Sequence, residues 1–283
     1  MIKKILLADA GTSNPKDVFK SLRDLPAIQD AAVSILHVVP PQASMKTMNE
    51  RLNAADGILE QAIAELNLSA DKADTLKREG DPKAVVCEVA NEINADLIIM
   101  GSRGLKRLES ILKNSVSQYV FQLTNRPMLL VRDDVYVKKL KRIMVALDKT
   151  SASQYPLDLA LFLAQGSDVE VLLVRVNPDL DPAFVPTAKA EIEANSVIAA
   201  ALPQVKRMGV KYRCIVAGGR PGVQLCKTAE EYNADLLVLG SPDRRPSIAR
   251  ALPDLDRLLG TSLSDYVRVN AECPVLLARR DEA

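Results

Sequence analysis

Short runs of Val, Ile and Leu alternate along this chain with longer stretches in which apolar residues recur every three or four positions. The runs at Ile5 to Ala8, Ala31 to Val39 and Leu97 to Met100 have strand length and are bounded by Gly, Pro, Asn or Asp. Such runs predict strands covered on both faces. Between them, Val85, Val86, Val89 and Ile93 follow helical spacing behind Asp81-Pro82, an N-cap with a first-turn proline. Met and Leu at helical spacing over residues 45 to 66 predict a core-facing stripe. The order then recurs: Ile143 to Leu147, Leu157 to Ala164, Val169 to Val176, Ala188 to Met208, Lys211 to Val216, Val223 to Tyr232, Leu236 to Leu239. Each half closes with Ser-x-Ser, a helix and a last strand, Met128 to Arg132 and Val275 to Arg279. Strand and helix in alternation predict an α/β fold: parallel sheets, helices on both faces and right-handed crossovers.

The recurrence is also literal. Residues 95 to 102 read Ala-Asp-Leu-Ile-Ile-Met-Gly-Ser and residues 234 to 241 read Ala-Asp-Leu-Leu-Val-Leu-Gly-Ser, an offset of 139 that also sets Gly80-x-Pro82 against Gly219-x-Pro221. The offset is 138 for Lys3 to Ala8 against Lys141 to Ala146, and 147 for Tyr119-Val120 against Tyr266-Val267. One unit is written twice, and the expectation is two doubly wound, mainly parallel five-stranded domains, 1–134 and 139–283, related by a pseudo-two-fold. The charged connector from Asp133 to Lys139 is too short for a flexible tether, so the halves should pack together.

Composition narrows the function classes. The 283 residues are 48% apolar and 26% charged, enough for two cores, and 37 basic residues against 36 acidic ones leave a net charge of +1. Neither nucleic acid nor an anionic membrane is expected as a partner. The first thirty residues carry charges such as Lys3, Lys4, Asp9, Lys16, Asp17 and Arg23 where a signal peptide would have an apolar core, and no apolar run is long enough to span a bilayer, so the expected compartment is the cytoplasm. Cys87, Cys214, Cys226 and Cys273 lack paired metal-site spacing and are expected to be reduced, buried thiols.

In open parallel sheets ligands sit outside the carboxyl ends of the strands, at the point where strand order switches. After the fourth strand of the first half comes Gly101-Ser102-Arg103-Gly104, then nine residues, then Asn114-Ser115 opening a helix. This resembles G-x2-G-x9-G-[ST], the nucleotide-binding loop of the universal stress protein family. The likeness extends to Ile5 to Ala8, His37-Val38, Ser115-Val116-Ser117 and Arg126-Pro127-Met128-Leu129-Leu130, and the chain resembles a tandem member. What the resemblance implies is an adenine nucleotide, ATP in one class of members and none in another, with magnesium as the ion accompanying it. It also implies a stress-response or regulatory role, and dimers joined through the last strand. Carried over by position, the nucleotide contacts in the first half are Asp9, Val38, Gly101, Arg103, Gly104, Asn114, Ser115, Val116 and Ser117.

The loop chemistry stands without the name. Glycines let the backbone approach a triphosphate, and amides at a following helix N-terminus, with a Ser hydroxyl, offer donors where the dipole favours negative charge. A plain turn after a buried strand is the alternative reading of two glycines. Asn114 stands for the third glycine and tolerates a left-handed conformation. In the family an aspartate ending the first strand holds the ribose; alignment puts Ala10, not Asp9, opposite Asp148, so Asp9 reaches the site only if a turn at Gly11 reverses its direction. The second half has the acid, Asp148, but its loop reads Gly240-Ser241-Pro242-Asp243, placing a carboxylate on the phosphate path. Its following loop is eight residues longer and carries Arg244, Arg245, Arg250 and Arg257. The expectation is a nucleotide mainly in the first half. In the second, either no ligand binds or a basic lid acts with Gly260, Thr261 and Ser262.

Catalytic residues are not apparent. His37 lies in an apolar strand, no nucleophile elbow or Walker lysine occurs, and the expectation is a binding protein with at most weak ATP hydrolysis. The alternatives are a protein-interaction module of the same fold without nucleotide, its partner unidentified, and an enzyme of a related nucleotide-binding superfamily, whose Ser-Gly-Gly-x-Asp-Ser and His-x-Gly-His signatures are absent. Each last strand would leave an open sheet edge. The resemblance implies that the two pair antiparallel, one chain forming a pseudo-dimer, with a homodimer of such units as a further step.

Overall fold

The computed structural model describes residues 2–11, 14–68, 72–102, 116–137, 139–149, 154–183, 189–241 and 262–279. In the first half the strands are β1 (Lys4–Ala8), β2 (Ala32–Val39), β3 (Ala73–Glu79), β4 (Leu97–Ser102) and β5 (Met128–Arg132). Between them run α1 (Asn14–Arg23), α2 (Met45–Leu66), α3 (Pro82–Glu92) and α4 (Val116–Leu123). In the second half β6 (Arg142–Leu147), β7 (Glu170–Asn177), β8 (Lys211–Gly218), β9 (Leu236–Gly240) and β10 (Val275–Ala278) alternate, among the described residues, with five helices. These are α5 (Gln154–Ala164), α6 (Lys189–Glu193), α7 (Ser196–Met208), α8 (Pro221–Glu231) and α9 (Leu263–Asn270).

All ten strands form one sheet, in the order β3-β2-β1-β4-β5-β10-β9-β6-β7-β8. Within each half every pairing is parallel. The halves meet where β5 and β10 run antiparallel, Leu130 opposite Val275 and Leu129 opposite Leu276. This satisfies both last-strand edges with backbone hydrogen bonds. It also sends the carboxyl ends of the two sets of strands to opposite edges of the sheet. Because side chains alternate along a strand, Ile5 and Leu7 pack under α1 and α2, while Leu6 faces α3 and α4. The free edges are β3 and β8, whose Asp74, Lys77, Arg78, Lys211 and Arg213 discourage pairing with another chain.

The seam carries a reciprocal pair of arginines. Arg132 Nη1 donates to the carbonyls of Val269 and Ala271 at 2.9 and 2.8 Å, at the end of α9, and Arg132 pairs with Asp134 at 2.7 Å. Arg279 donates to the carbonyls of Phe121 and Thr124, the latter at 3.0 Å, at the end of α4, and its guanidinium lies 4.0 Å from the Phe121 ring centroid. Each half thus satisfies the terminal carbonyls of the other's last helix.

Three local expectations are revised. The stripe over 45 to 66 is core only from Ala55 onward, through Leu59, Ala62 and Leu66, whereas Met45 is 76% exposed. The segment expected from Ala188 to Met208 is two helices, because Asn195 caps a new one by accepting from Val197 N at 3.1 Å. Only Cys273 among the four free thiols is fully buried, and the others are partly so. Burial pushes Cys87, Cys214 and Cys226 up to about 11 and Cys273 to about 12, so all are protonated at neutral pH.

Helices α8 and α9 pack through Gly222, where a Cβ would stand 2.7 and 3.1 Å from ring atoms of Tyr266. Alanine for glycine in a helix ordinarily stabilises by up to about 1 kcal/mol. Gly222→Ala is expected to destabilise instead, by about 1 to 2 kcal/mol, because the ring must move within a packed seam. Urea denaturation reads the sign directly.

Candidate functional site

The carboxyl ends of β6, β7 and β9 open on a cavity of about 340 Å3, with Pro221 and Leu225 of α8 and Leu263 and Ser264 of α9 on its walls. This is the switch point of the second half, since β6 lies between β7 and β9 while its connections lead away to either side. Val174, Val176 and Leu239 make the apolar floor, and Asp148, one residue past β6, stands exposed at the rim. Arg175 touches the same lining from β7, but the alternation of that strand sets it on the face of Val171 and Leu173, opposite Val174 and Val176.

Helix α9 aims its N-terminus at this rim. Ser262 caps it by accepting from Asp265 N at 3.1 Å, and the first-turn acid is not left to repel an anion, because Arg268 Nε donates to Asp265 Oδ1 at 2.9 Å. Ser264 Oγ lies 3.5 Å from Ser241 Oγ, the residue that follows Gly240. Arg279 Nε in turn holds the Ser241 carbonyl at 3.2 Å, which ties Ser241 to the seam.

Of the residues expected from sequence, the structure brings Asp148 and Gly240 onto one cavity and puts Ser262 at the cap of the helix beside it. By the repeat, Val176, Gly240, Leu263 and Ser264 correspond to Val38, Gly101, Val116 and Ser117. Those four sit at the matching carboxyl edge of the first half, at the ends of β2 and β4 and the start of α4. Ser102 Oγ, beside Gly101, is buried without a hydrogen-bond partner among the described residues. Arg103, Gly104, Asn114, Ser115, Gly260 and Thr261 lie outside the described residues, as do Pro242, Asp243 and the four arginines of the longer loop.

Asp9 departs from its expected role. The turn at Gly11 does form, with φ at +83°, but it draws the carboxylate inward: Asp9 Oδ1 accepts from Gly11 N at 2.8 Å. Asp9 continues the alternation of Ile5 and Leu7 and is 4% exposed on the face covered by α1 and α2. There its Oδ2 is 3.7 Å from Lys16 Nζ, which itself sits 2.6 Å from Glu65. Hydrogen bonds from Lys16 and then Gln61 hold Glu65 below the usual carboxylate range. His37 is a strand-end histidine, as its apolar run suggested, with Nδ1 2.8 Å from the Asp9 carbonyl.

Arg175 went unremarked in the sequence, although the offset of 138 sets it against His37 and so marks it as a strand-end residue. An apolar run with one internal cation reads simply as a strand, which hid it.

The sequence profile described as the Universal stress protein family matches residues 1–132 and 139–279. The chain belongs to the universal stress protein family. Against a universal stress protein of Synechocystis it is 32% identical over 135 residues, 46% of this chain and 86% of that protein. Against one of Bacillus subtilis it is 30% identical over 148 residues, 47% of this chain and 100% of that protein. These universal stress proteins match about half of this chain, in keeping with the repeat. A universal stress protein structure from Archaeoglobus fulgidus shares the whole fold, with a TM-score of 0.75 at 20% identity, covering 99% of this chain and 97% of that one.

Proposed function

We propose that this universal stress protein is a stress-response protein that binds an adenine nucleotide at the carboxyl edge of its second half, occupancy setting its conformation or its affinity for a partner. The observation that carries the reading is the cavity with an apolar floor and Asp148 at its rim. Adenine is a flat apolar body and suits Val174, Val176 and Leu239. The ribose hydroxyls suit an ionised carboxylate, Asp148, as hydrogen-bond acceptor. The phosphates suit the N-terminus of α9, where backbone amides and the helix dipole favour negative charge. Magnesium, in this reading, travels with the phosphates: among the described residues no group of three or more His, Cys, Asp or Glu could hold a metal ion.

This shifts the weight from the first half to the second. Asp9 lies on the face covered by α1 and α2, where it holds Gly11 and neighbours Lys16, whereas Asp148 lines the cavity at the carboxyl edge. A second reading keeps the nucleotide in the first half, favoured by the buried, unpartnered Ser102 Oγ next to the glycine-spaced loop. Calorimetric titration of the full chain with ATP and AMP separates them. The second-half reading expects Gly104→Asp to bind as the wild type does, and loss of binding in that variant would move the site to the first half. No saturable heat with either nucleotide would sink both.

A further inference from the structure

At the junction of the halves lies a second cavity, of about 330 Å3, that no nucleotide contact uses. One wall comes from the first half: Ile2 before β1, Asp96 before β4, and Arg126-Pro127 before β5. The other is α5 of the second half, presenting Tyr155, Asp158, Leu159 and Phe162. The volume is at the lower end of small-ligand sites, roughly 300 to 1,000 Å3, and junctions between domains are where such sites concentrate.

Its charges are arranged unusually. Arg126 Nη1 donates to the Ala95 carbonyl at 2.6 Å and Nη2 to Asn94 Oδ1 at 3.4 Å; neither partner is charged. Asp158 Oδ1 accepts from the side-chain amides of Gln154 and Gln204 at 2.8 and 2.6 Å, again neutral partners. Neither Arg126 nor Asp158 has an ion-pair partner among the described residues, so a guanidinium and a carboxylate line one cleft more than 4 Å apart, each held by other groups. Three of the five Arg126 N–H donors and one Asp158 oxygen remain unspent on those bonds. Asp96, whose Oδ2 takes the amides of Lys3 and Lys4, adds a second carboxylate to the same wall. Arg279 also reaches the cleft, but its donors serve the seam.

The fold does not require this arrangement. The matching position on the other side of the seam is a smaller cavity of about 210 Å3, where Glu272 and Cys273 stand in place of Asn125 and Arg126 and the charged lining is acidic. That smaller cavity is lined by second-half residues alone, whereas the larger one sets an arginine and aspartates against an apolar wall of Leu159 and Phe162 from the other half.

We propose that this cleft binds a small zwitterion with an apolar body, an α-amino acid with an aromatic or aliphatic side chain. Its carboxylate meets Arg126 in the planar geometry a guanidinium offers, its ammonium meets Asp158 or Asp96, and its side chain lies against Leu159 and Phe162. The site is separate from the nucleotide cavity and does not depend on it.

The test is calorimetric titration of the full chain with L-phenylalanine and L-leucine, beside phenethylamine and 3-phenylpropanoate, which each lack one charge. Saturable one-to-one binding of at least one amino acid is expected, with both singly charged analogues at least tenfold weaker. Arg126→Gln and Asp158→Asn should each weaken the amino acid at least tenfold with thermal unfolding little changed. Should Arg126→Gln fail to fold, Asp158→Asn carries the test alone, since an asparagine oxygen still accepts from Gln154 and Gln204. No saturable heat at millimolar amino acid, equal binding by the analogues, or unaltered binding by a folded variant would overturn the proposal.

Discussion

Replacing Arg279 with methionine is expected to lower the unfolding free energy by roughly 3 kcal/mol or more. The side chain is 6% exposed and serves three carbonyls, those of Phe121 and Thr124 in the first half and Ser241 in the second, besides stacking on the Phe121 ring. Methionine fills similar space but donates nothing, so acceptors at the end of α4 lose a charged partner in a place closed to water. A buried acceptor deprived of its donor costs about 1 to 3 kcal/mol, and the losses fall on both sides of one seam. For comparison, Arg78→Met removes an exposed pair with Glu92 and should cost no more than about 1 kcal/mol. Urea denaturation of the two variants measures the contrast. Equal small shifts would mean that β5–β10 pairing and its apolar side chains hold the seam without the arginine.

Asp148→Ala is expected to weaken nucleotide binding about ten- to a hundredfold. Hydrogen bonds to a charged acceptor contribute roughly 1.5 to 3 kcal/mol, and each 1.4 kcal/mol is a factor of ten in Kd. Asp148 is exposed at the rim of the cavity, so stability should barely change. Asp9→Ala should do the reverse. Its carboxylate holds the Gly11 turn and neighbours buried Lys16, so the chain loses stability while affinity stays within about twofold. Paired calorimetry and denaturation on both variants settle which aspartate faces the ligand; weaker binding by Asp9→Ala alone would reverse the assignment.

The fold was legible because burial on two faces writes strands as apolar runs. Ile5 to Ala8 and Leu97 to Met100 could hardly be anything else, and the near-identical string at 236 to 239 fixed the repeat. The last strands, Met128 to Arg132 and Val275 to Arg279, were legible as edges needing cover. β3 was not. Its sequence, Ala-Asp-Thr-Leu-Lys-Arg-Glu, lies on the outer edge of the sheet, where polar side chains are tolerated and no apolar run is required. The break at Asn195 was missed for a related reason: apolar spacing continues through it, and only the cap geometry shows where one helix ends.

The site was less legible than the fold because motif residues mark positions and not directions. The register of Asp9 was readable, and it argued that the side chain points away from the ligand edge. Whether the Gly11 turn would correct this depended on where the carboxylate found its hydrogen bonds. It found one in Gly11 itself and an ion-pair neighbour in Lys16, neither of which spacing could assign. Conversely, the second half looked compromised by Asp243, while Val174 and Val176 passed as ordinary strand residues. An apolar cavity floor becomes visible only once β7 has been placed beside β6.

Methyl-selective NMR of the full chain titrated with ATP tests the central claim most directly. The cavity predicts that methyl signals of Val174, Val176, Leu225 and Leu239 shift and saturate together, while those of Val38, Val86 and Met100 at the matching edge of the first half stay in place. Shifts confined to the first-half methyls, or no saturating shift in either set, would contradict it.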